Sequence, residues 1–155
     1  MFNIAMKKLS HLNRRGEASM VDVSAKPVVQ REAVASGTIH VSSATLKLIQ
    51  SDSIAKGNVL AAARLAGIMA AKKTGELIPL CHPLAISHCE VTFTIPKSHD
   101  RIVITASAKI AAQTGVEMEA LTAVSIAALT IYDMCKAVDK KMRITDVLLL
   151  SKKKA

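Results

Sequence analysis

Residues Ile86 to Ile95 alternate in polarity. His88, Glu90, Thr92 and Thr94 fall on one side, with Cys89, Val91, Phe93 and Ile95 on the other, the period of a half-buried strand. Pro96-Lys97-Ser98-His99-Asp100 reads as a hairpin turn, returning through a second strand from Arg101 to Ile110. Val28 to Val41 also has strand character, and Gly37 within it marks a bulge or kink. Ser42 or Ser43 can cap a short helix that runs through Gln50, and a stronger helix is expected from Asn58 to Lys73. The longest helical segment starts at Glu117 and continues to Val138. Thr114 and Glu117 have the spacing of a capping box, and no charge lies on any face from Ala120 to Ile131, so burial nearly all round is expected. Met142 to Leu150 makes a last strand.

The resulting order is strand, helices, strand, strand, helix, strand. It predicts an α+β ferredoxin-like fold, an antiparallel sheet with helices packed on one face. Such a layer leaves one side of its sheet open, and the all-round apolar helix calls for a second covering surface, most simply another subunit of a homo-oligomer.

At 155 residues the chain is long enough for one core. The domain is expected over 9–155, with a basic arm at 1–8. Three aromatic residues leave that core to Ala, Val, Ile, Leu and Met. The longest uncharged apolar run, Ala120 to Tyr132, is shorter than the roughly 18 to 20 residues of a membrane span. The net charge of +9 is terminal: Lys7, Lys8, Arg14, Arg15 and Lys152 to Lys154 carry seven of the charges, leaving +2 over residues 16–151. Without aromatics for base stacking, this pattern speaks against nucleic acid and for a small, highly charged phosphate ligand. Cys81, Cys89 and Cys135 are odd in number and lack a CxxC pair, which favours a reducing, cytoplasmic setting.

Candidate chemistry gathers in two places. Asp133 sits near the end of a helix, where the dipole and apolar neighbours are expected to destabilise its charge, and Lys136 one turn on relieves part of that cost. The alternative is an ordinary i,i+3 ion pair. The second place is Ile78-Pro79-Leu80-Cys81-His82-Pro83-Leu84, where prolines hold a Cys and a His in an apolar stretch. Cys81, His82, His88 and Cys89 are all zinc-ligand types, but on an extended chain they fall on two faces, so no metal is expected. Lys56-Gly57-Asn58 precedes a helix start, a ready phosphate site. Arg64, inside an otherwise apolar helix, needs an anionic partner if buried.

These blocks together closely resemble the cyclic pyranopterin monophosphate synthase family of molybdenum-cofactor biosynthesis. The likeness runs from about Leu9 to Lys152 and includes Gly16 to Ser24, Lys56 to Leu60, Ala61 to Ile68, Glu76 to Leu84 and the long helix. The resemblance implies a lyase acting on the cyclised dihydro-GTP intermediate, which carries a triphosphate, to give cyclic pyranopterin monophosphate and pyrophosphate. It implies Asp133 as catalytic acid/base with Lys56 and Lys136 as its partners. Leu80, Cys81 and His82 would touch substrate, as would Met118 and Glu119, with Lys152 near the phosphates; Glu117 and Arg64 are further candidates for substrate contact. It also implies no cofactor beyond Mg²⁺ accompanying the triphosphate, and a hexamer built as a trimer of dimers. The long apolar helix and the half-covered sheet add the expectation of an active site shared between subunits, in which Lys56 and Asp133 variants would complement each other provided the two residues come from different chains. Members of the family commonly continue past the last strand with a Gly- and Lys-containing tail, so Lys152, Lys153 and Lys154 would have to substitute for it. The competing class is a non-catalytic nucleotide- or RNA-binding ferredoxin-like module.

Overall fold

Four strands hydrogen-bond in the order β2-β3-β1-β4, every neighbour antiparallel. The computed structural model describes residues 11–13 and 15–155, and the arm expected at 1–8 lies outside the described residues. In chain order the elements are β1 (Val29–His40), α1 (Ser43–Gln50), α2 (Val59–Lys72), α3 (Thr74–Leu77), β2 (His88–Thr94), β3 (Arg101–Ala112), α4 (Glu117–Cys135) and β4 (Arg143–Lys154). This is the ferredoxin-like α+β arrangement that the element order predicted, with the helices on one face of the sheet. Alternation sets that face: Ala33, Ala35 and Ile39 of β1 and Ile102, Ile104, Ala106 and Ala108 of β3 are buried in one core with α4. The small side chains let α4 lie close to the sheet.

Local chemistry starts and stops most elements where expected. Ser42 caps α1 by accepting from Thr45 N at 3.1 Å, and Asn58 caps α2 by accepting from Ala61 N at 2.8 Å. The hairpin turn closes with His99 N donating to the Pro96 carbonyl at 3.0 Å. The irregularity anticipated at Gly37 is real, but the extra residue belongs to the partner strand. Between Ser36 and Thr38 the β1–β4 register shifts, and Asp146 opposite takes φ 54°. Gly37 serves close approach instead, since a Cβ there would lie 2.5 Å from Val124 Cγ1 of α4 and 3.2 Å from Val147 Cγ2 of β4.

Three expectations need correction. The capping box does not form: α4 begins at Glu117 after Val116, with no side-chain cap, because the Glu117 carboxylate turns instead to Lys152. Burial of α4 holds for one face only. Nine of its residues are buried against the sheet and α2, while Leu129 on the opposite side is 53% exposed. By length and composition this 19-residue helix could cross a membrane. Its buried face is taken by the core, as in the core helix of a soluble protein. Finally, Lys152 to Lys154 are not a loose tail. They extend β4, paired with Ala33, Glu32 and Arg31 of β1.

Candidate active site

The last turn of α4 carries Asp133 with its side chain 56% exposed. Lys136, at the helix C-cap, reaches Asp133 Oδ1 at 2.7 Å, and Lys56 reaches Oδ2 at 2.7 Å. Lys56 arrives there because Gly57, at φ +99°, turns the chain into α2, a conformation other residues rarely adopt. Its ammonium also donates to the Asp133 carbonyl at 3.0 Å, satisfying one of the unpaired carbonyls of a helix end. The hydrogen bond from Lys136, then that from Lys56, hold the Asp133 carboxyl at about 2, and the same contact raises Lys136 above the ordinary lysine range. The expected electrostatic discomfort of Asp133 is therefore reversed: it is solvated, doubly paired and firmly anionic. The three groups form a cation–anion–cation row, and Lys56 and Asp133 belong to one chain rather than two.

At the other end of α4 is a cavity of about 450 Å³. Leu80, Cys81 and His82 enter it from the segment after α3, and Glu117, Met118 and Glu119 from the first turn of α4. The two stretches lie far apart in sequence, and the fold brings them together. Glu119 is only 3% exposed, and its desolvation, followed by the nearby Glu117 charge, raises its pKa. Burial, then Glu119, likewise raises the Cys81 thiol. His82 is fixed, as its position between prolines implied: Nε2 lies 2.8 Å from the Val21 carbonyl. A carbonyl only accepts, so Nε2 is the donor in this contact.

The remaining candidates are placed differently. Arg64 uses Nε on the Val91 carbonyl at 3.1 Å, and its guanidinium lies 5.6 Å from the centroid of the Phe93 ring. It does not line the cavity, and its partners are a carbonyl and a π-face rather than an anion. Lys152 meets Glu117 Oε1 at 3.1 Å beside a second cavity of about 240 Å³, lined by Arg31 and Lys152 to Lys154. His88 and Cys89 lie on β2, and neither lines the larger cavity with Cys81 and His82. Sequence reasoning missed His11, Val21, Val23 and Lys26, which complete the wall of the larger cavity. The block Gly16 to Ser24 was conspicuous as sequence, yet nothing in its composition assigned it a place.

A ferredoxin-like sheet whose central helix carries a Lys–Asp–Lys row at one end and a carboxyl–thiol–imidazole cavity at the other defines a class of protein equipped for acid–base work on a small molecule. Comparison with known proteins makes the family specific. The chain belongs to the MoaC family, whose model matches residues 20–155. It is 57% identical over 149 residues to the cyclic pyranopterin monophosphate synthase of Parvibaculum lavamentivorans, covering 96% of this chain and 93% of the relative. It is 57% identical over 145 residues to that of Clostridium perfringens strain SM101, covering 94% and 92%. To cyclic pyranopterin monophosphate synthase 1 of Mycobacterium bovis it is 57% identical over 144 residues, covering 93% and 84%. These likenesses disfavour the non-catalytic nucleotide- or RNA-binding module.

Proposed function

We propose that this chain, as a single catalytic domain over 9–155, converts the cyclised dihydro-GTP intermediate to cyclic pyranopterin monophosphate with release of pyrophosphate, in molybdenum-cofactor biosynthesis and in the cytoplasm. The observation that carries the reading is the convergence of Leu80-Cys81-His82 and Met118-Glu119 on one cavity, in a chain whose relatives bear the synthase name.

The chemistry divides between the two clusters. Ring opening and reclosure move protons at nitrogen and carbon, which needs positioned acids and bases. Asp133, anionic above about pH 2, serves as proton acceptor rather than donor, while Lys136 and Lys56 hold protons beside it. In the phosphoryl step a sugar hydroxyl attacks the α-phosphorus. A new P–O bond forms, the bond to the β-phosphate oxygen breaks, the hydroxyl proton passes to a base, and pyrophosphate leaves under cationic stabilisation. Mg²⁺ accompanying the triphosphate would share that stabilisation.

The two clusters face a geometric difficulty within one chain. Glu119 and Asp133 lie on the same helix, roughly 21 Å apart at the α-helical rise, too far to act together on one small substrate. We therefore assign the working site to two copies, the Lys–Asp–Lys row of one facing the cavity of another, in a homo-oligomer that the resemblance makes a trimer of dimers. The half-open α4 face, with Leu129 exposed, is in keeping with a covering subunit. Incubating the purified protein with the cyclised dihydro-GTP intermediate tests the reading. Stoichiometric pyrophosphate and a cyclic phosphate product of the expected mass are predicted, and release of neither would overturn it.

A further inference from the structure

Asp139, three residues beyond Lys136, is a carboxylate set into the core at 8% exposure, and its charge is met by hydrogen bonds. Oδ2 accepts from Ser42 N at 2.8 Å and from Thr45 Oγ1 at 3.0 Å, and Oδ1 accepts from Lys141 N at 3.1 Å. Burial works against the charge, but the hydrogen bonds from Ser42, Lys141 and Thr45 outweigh it and hold the carboxyl below its ordinary pKa. Helix α1 does not require this carboxylate as a cap, because Ser42 already accepts from Thr45 N. What the contact does is join the start of α1 to the chain just after α4, across 94 residues of sequence.

That junction closes a ring. On one side, Asp139 N donates to the Cys135 carbonyl at 3.0 Å and Lys136 N to the Tyr132 carbonyl at 2.9 Å, which ties the carboxylate to the last turn of α4. On the other side, the far end of α1 is firmly stopped. Ser53 N reaches the Leu48 carbonyl at 2.9 Å and Asp52 N the Ile49 carbonyl at 3.2 Å, with Asp52 at φ 51°. These are the two bonds and the left-handed residue of a Schellman motif. Ile54 then enters the core, and Gly57 N donates to its carbonyl at 2.9 Å, enclosing Lys56 in a turn. Lys56 completes the ring at Asp133. The Lys56–Asp133 pair cannot hold itself in place, since both side chains are about half exposed and exposed pairs contribute little. Its geometry must come from the backbone beneath. We propose that Asp139 is a positioning residue, locking α1 and the Lys56 loop against the end of α4 so that both lysines meet Asp133. It acts through the row and not on substrate. The proposal rests on the reading that the Lys56–Asp133–Lys136 row carries out the proton transfers.

Asp139→Asn keeps the size of the side chain but turns its amide NH₂ toward a backbone N–H, of Ser42 or of Lys141, whichever way it lies. Lys56, loosened from Asp133, should then be acetylated about threefold faster than in the parent by N-hydroxysuccinimidyl acetate, relative to Lys97, the size set by an exposed ion pair. Peptide mass spectrometry reads this on the intact protein. Pyrophosphate release should lose about tenfold in kcat with KM within about twofold, because the row is disturbed and the larger cavity is not. In a Lys56→Ala background that kcat loss should shrink. Ile110→Val trims the core at the opposite end of β3 and also costs stability, but should leave Lys56 labelling at the parent level. Thr45→Val should act as a milder Asp139→Asn, and Thr45→Ser, which keeps the hydroxyl, should restore the parent values. If Asp139→Asn fails to fold, the two Thr45 variants decide the matter. Unchanged Lys56 labelling in folded Asp139→Asn would overturn the proposal, as would an equal rise in Ile110→Val or a kcat loss undiminished without Lys56. Labelling involves no turnover, so its failure is distinct from a failure of the parent protein to release pyrophosphate from substrate.

Discussion

Replacing Gly37 with alanine tests how α4 is seated. The new Cβ would stand 2.5 Å from Val124 Cγ1 and 3.2 Å from Val147 Cγ2. Val124 is fully buried in the middle of α4, with the sheet on one side and α2 close by, so it cannot rotate into solvent. Overpacking of this kind costs about 1 to 3 kcal/mol. For a domain of this size each kcal/mol lowers Tm by about 2 to 4 °C, so a loss of roughly 2 to 12 °C is expected in a thermal melt. Val124→Ala alone removes two buried carbons at about 0.8 kcal/mol each. In the double variant the added methyl occupies the space vacated by the valine, so the combined loss should fall short of the sum by about 1 kcal/mol or more. The functional stake is that both clusters ride on the ends of this helix. Additive losses within about 0.3 kcal/mol, or a Gly37→Ala protein melting with the parent, would refute the claim that close approach at Gly37 seats α4.

Two further predictions concern the ends of that helix. Asp133→Asn should lower kcat at least about a hundredfold, the scale of a lost acid/base group. Its melting temperature should stay close to the parent's, because the carboxylate is exposed; turnover near the parent's rate would refute the assignment. Glu119→Gln should raise stability at neutral pH. Burial raises the Glu119 pKa in the folded state, so the carboxyl is tolerated below its unfolded value, and stability is lost as pH rises through the folded one. Urea unfolding should show the gain at pH 7 and none near pH 4, and a pH-independent difference would contradict this.

The fold was legible because alternation and helix caps are local. Ser42 and Asn58 cap where their side chains allow, and the even and odd residues of β2 separate as their polarity requires. What failed was decided at long range. Thr114 and Glu117 satisfy a local rule, yet Glu117 found Lys152 on a strand that pairs with β1. Lys152 to Lys154 looked like a solvated end because nothing local announces that Glu32 and Arg31 lie alongside. The one-turn helix α3 carries too few residues for a periodic signal. For Asp133 the residue was found, but its electrostatics was inverted, since the second lysine comes from the turn before α2 and spacing within α4 cannot reveal it. Arg64 was singled out as a charge in an apolar helix that would need an anion if buried, but it is exposed, with a carbonyl and an aromatic ring as its neighbours. The distribution of the site over both ends of one helix emerges only from the three-dimensional arrangement.

The central claim, a synthase site completed between two copies, is tested most directly by complementation. Asp133→Asn and Glu119→Gln chains, each nearly inactive alone, are co-expressed as mixed oligomers and assayed for pyrophosphate release from the cyclised dihydro-GTP intermediate. Random assortment in symmetric dimers makes half of them mixed, each with one intact site of two, so about a quarter of parent activity should return. Lys56→Ala mixed with Asp133→Asn should recover nothing, since those two residues bond within one chain. Mixed oligomers verified by native mass spectrometry that release no more pyrophosphate than the separate variants would contradict the account.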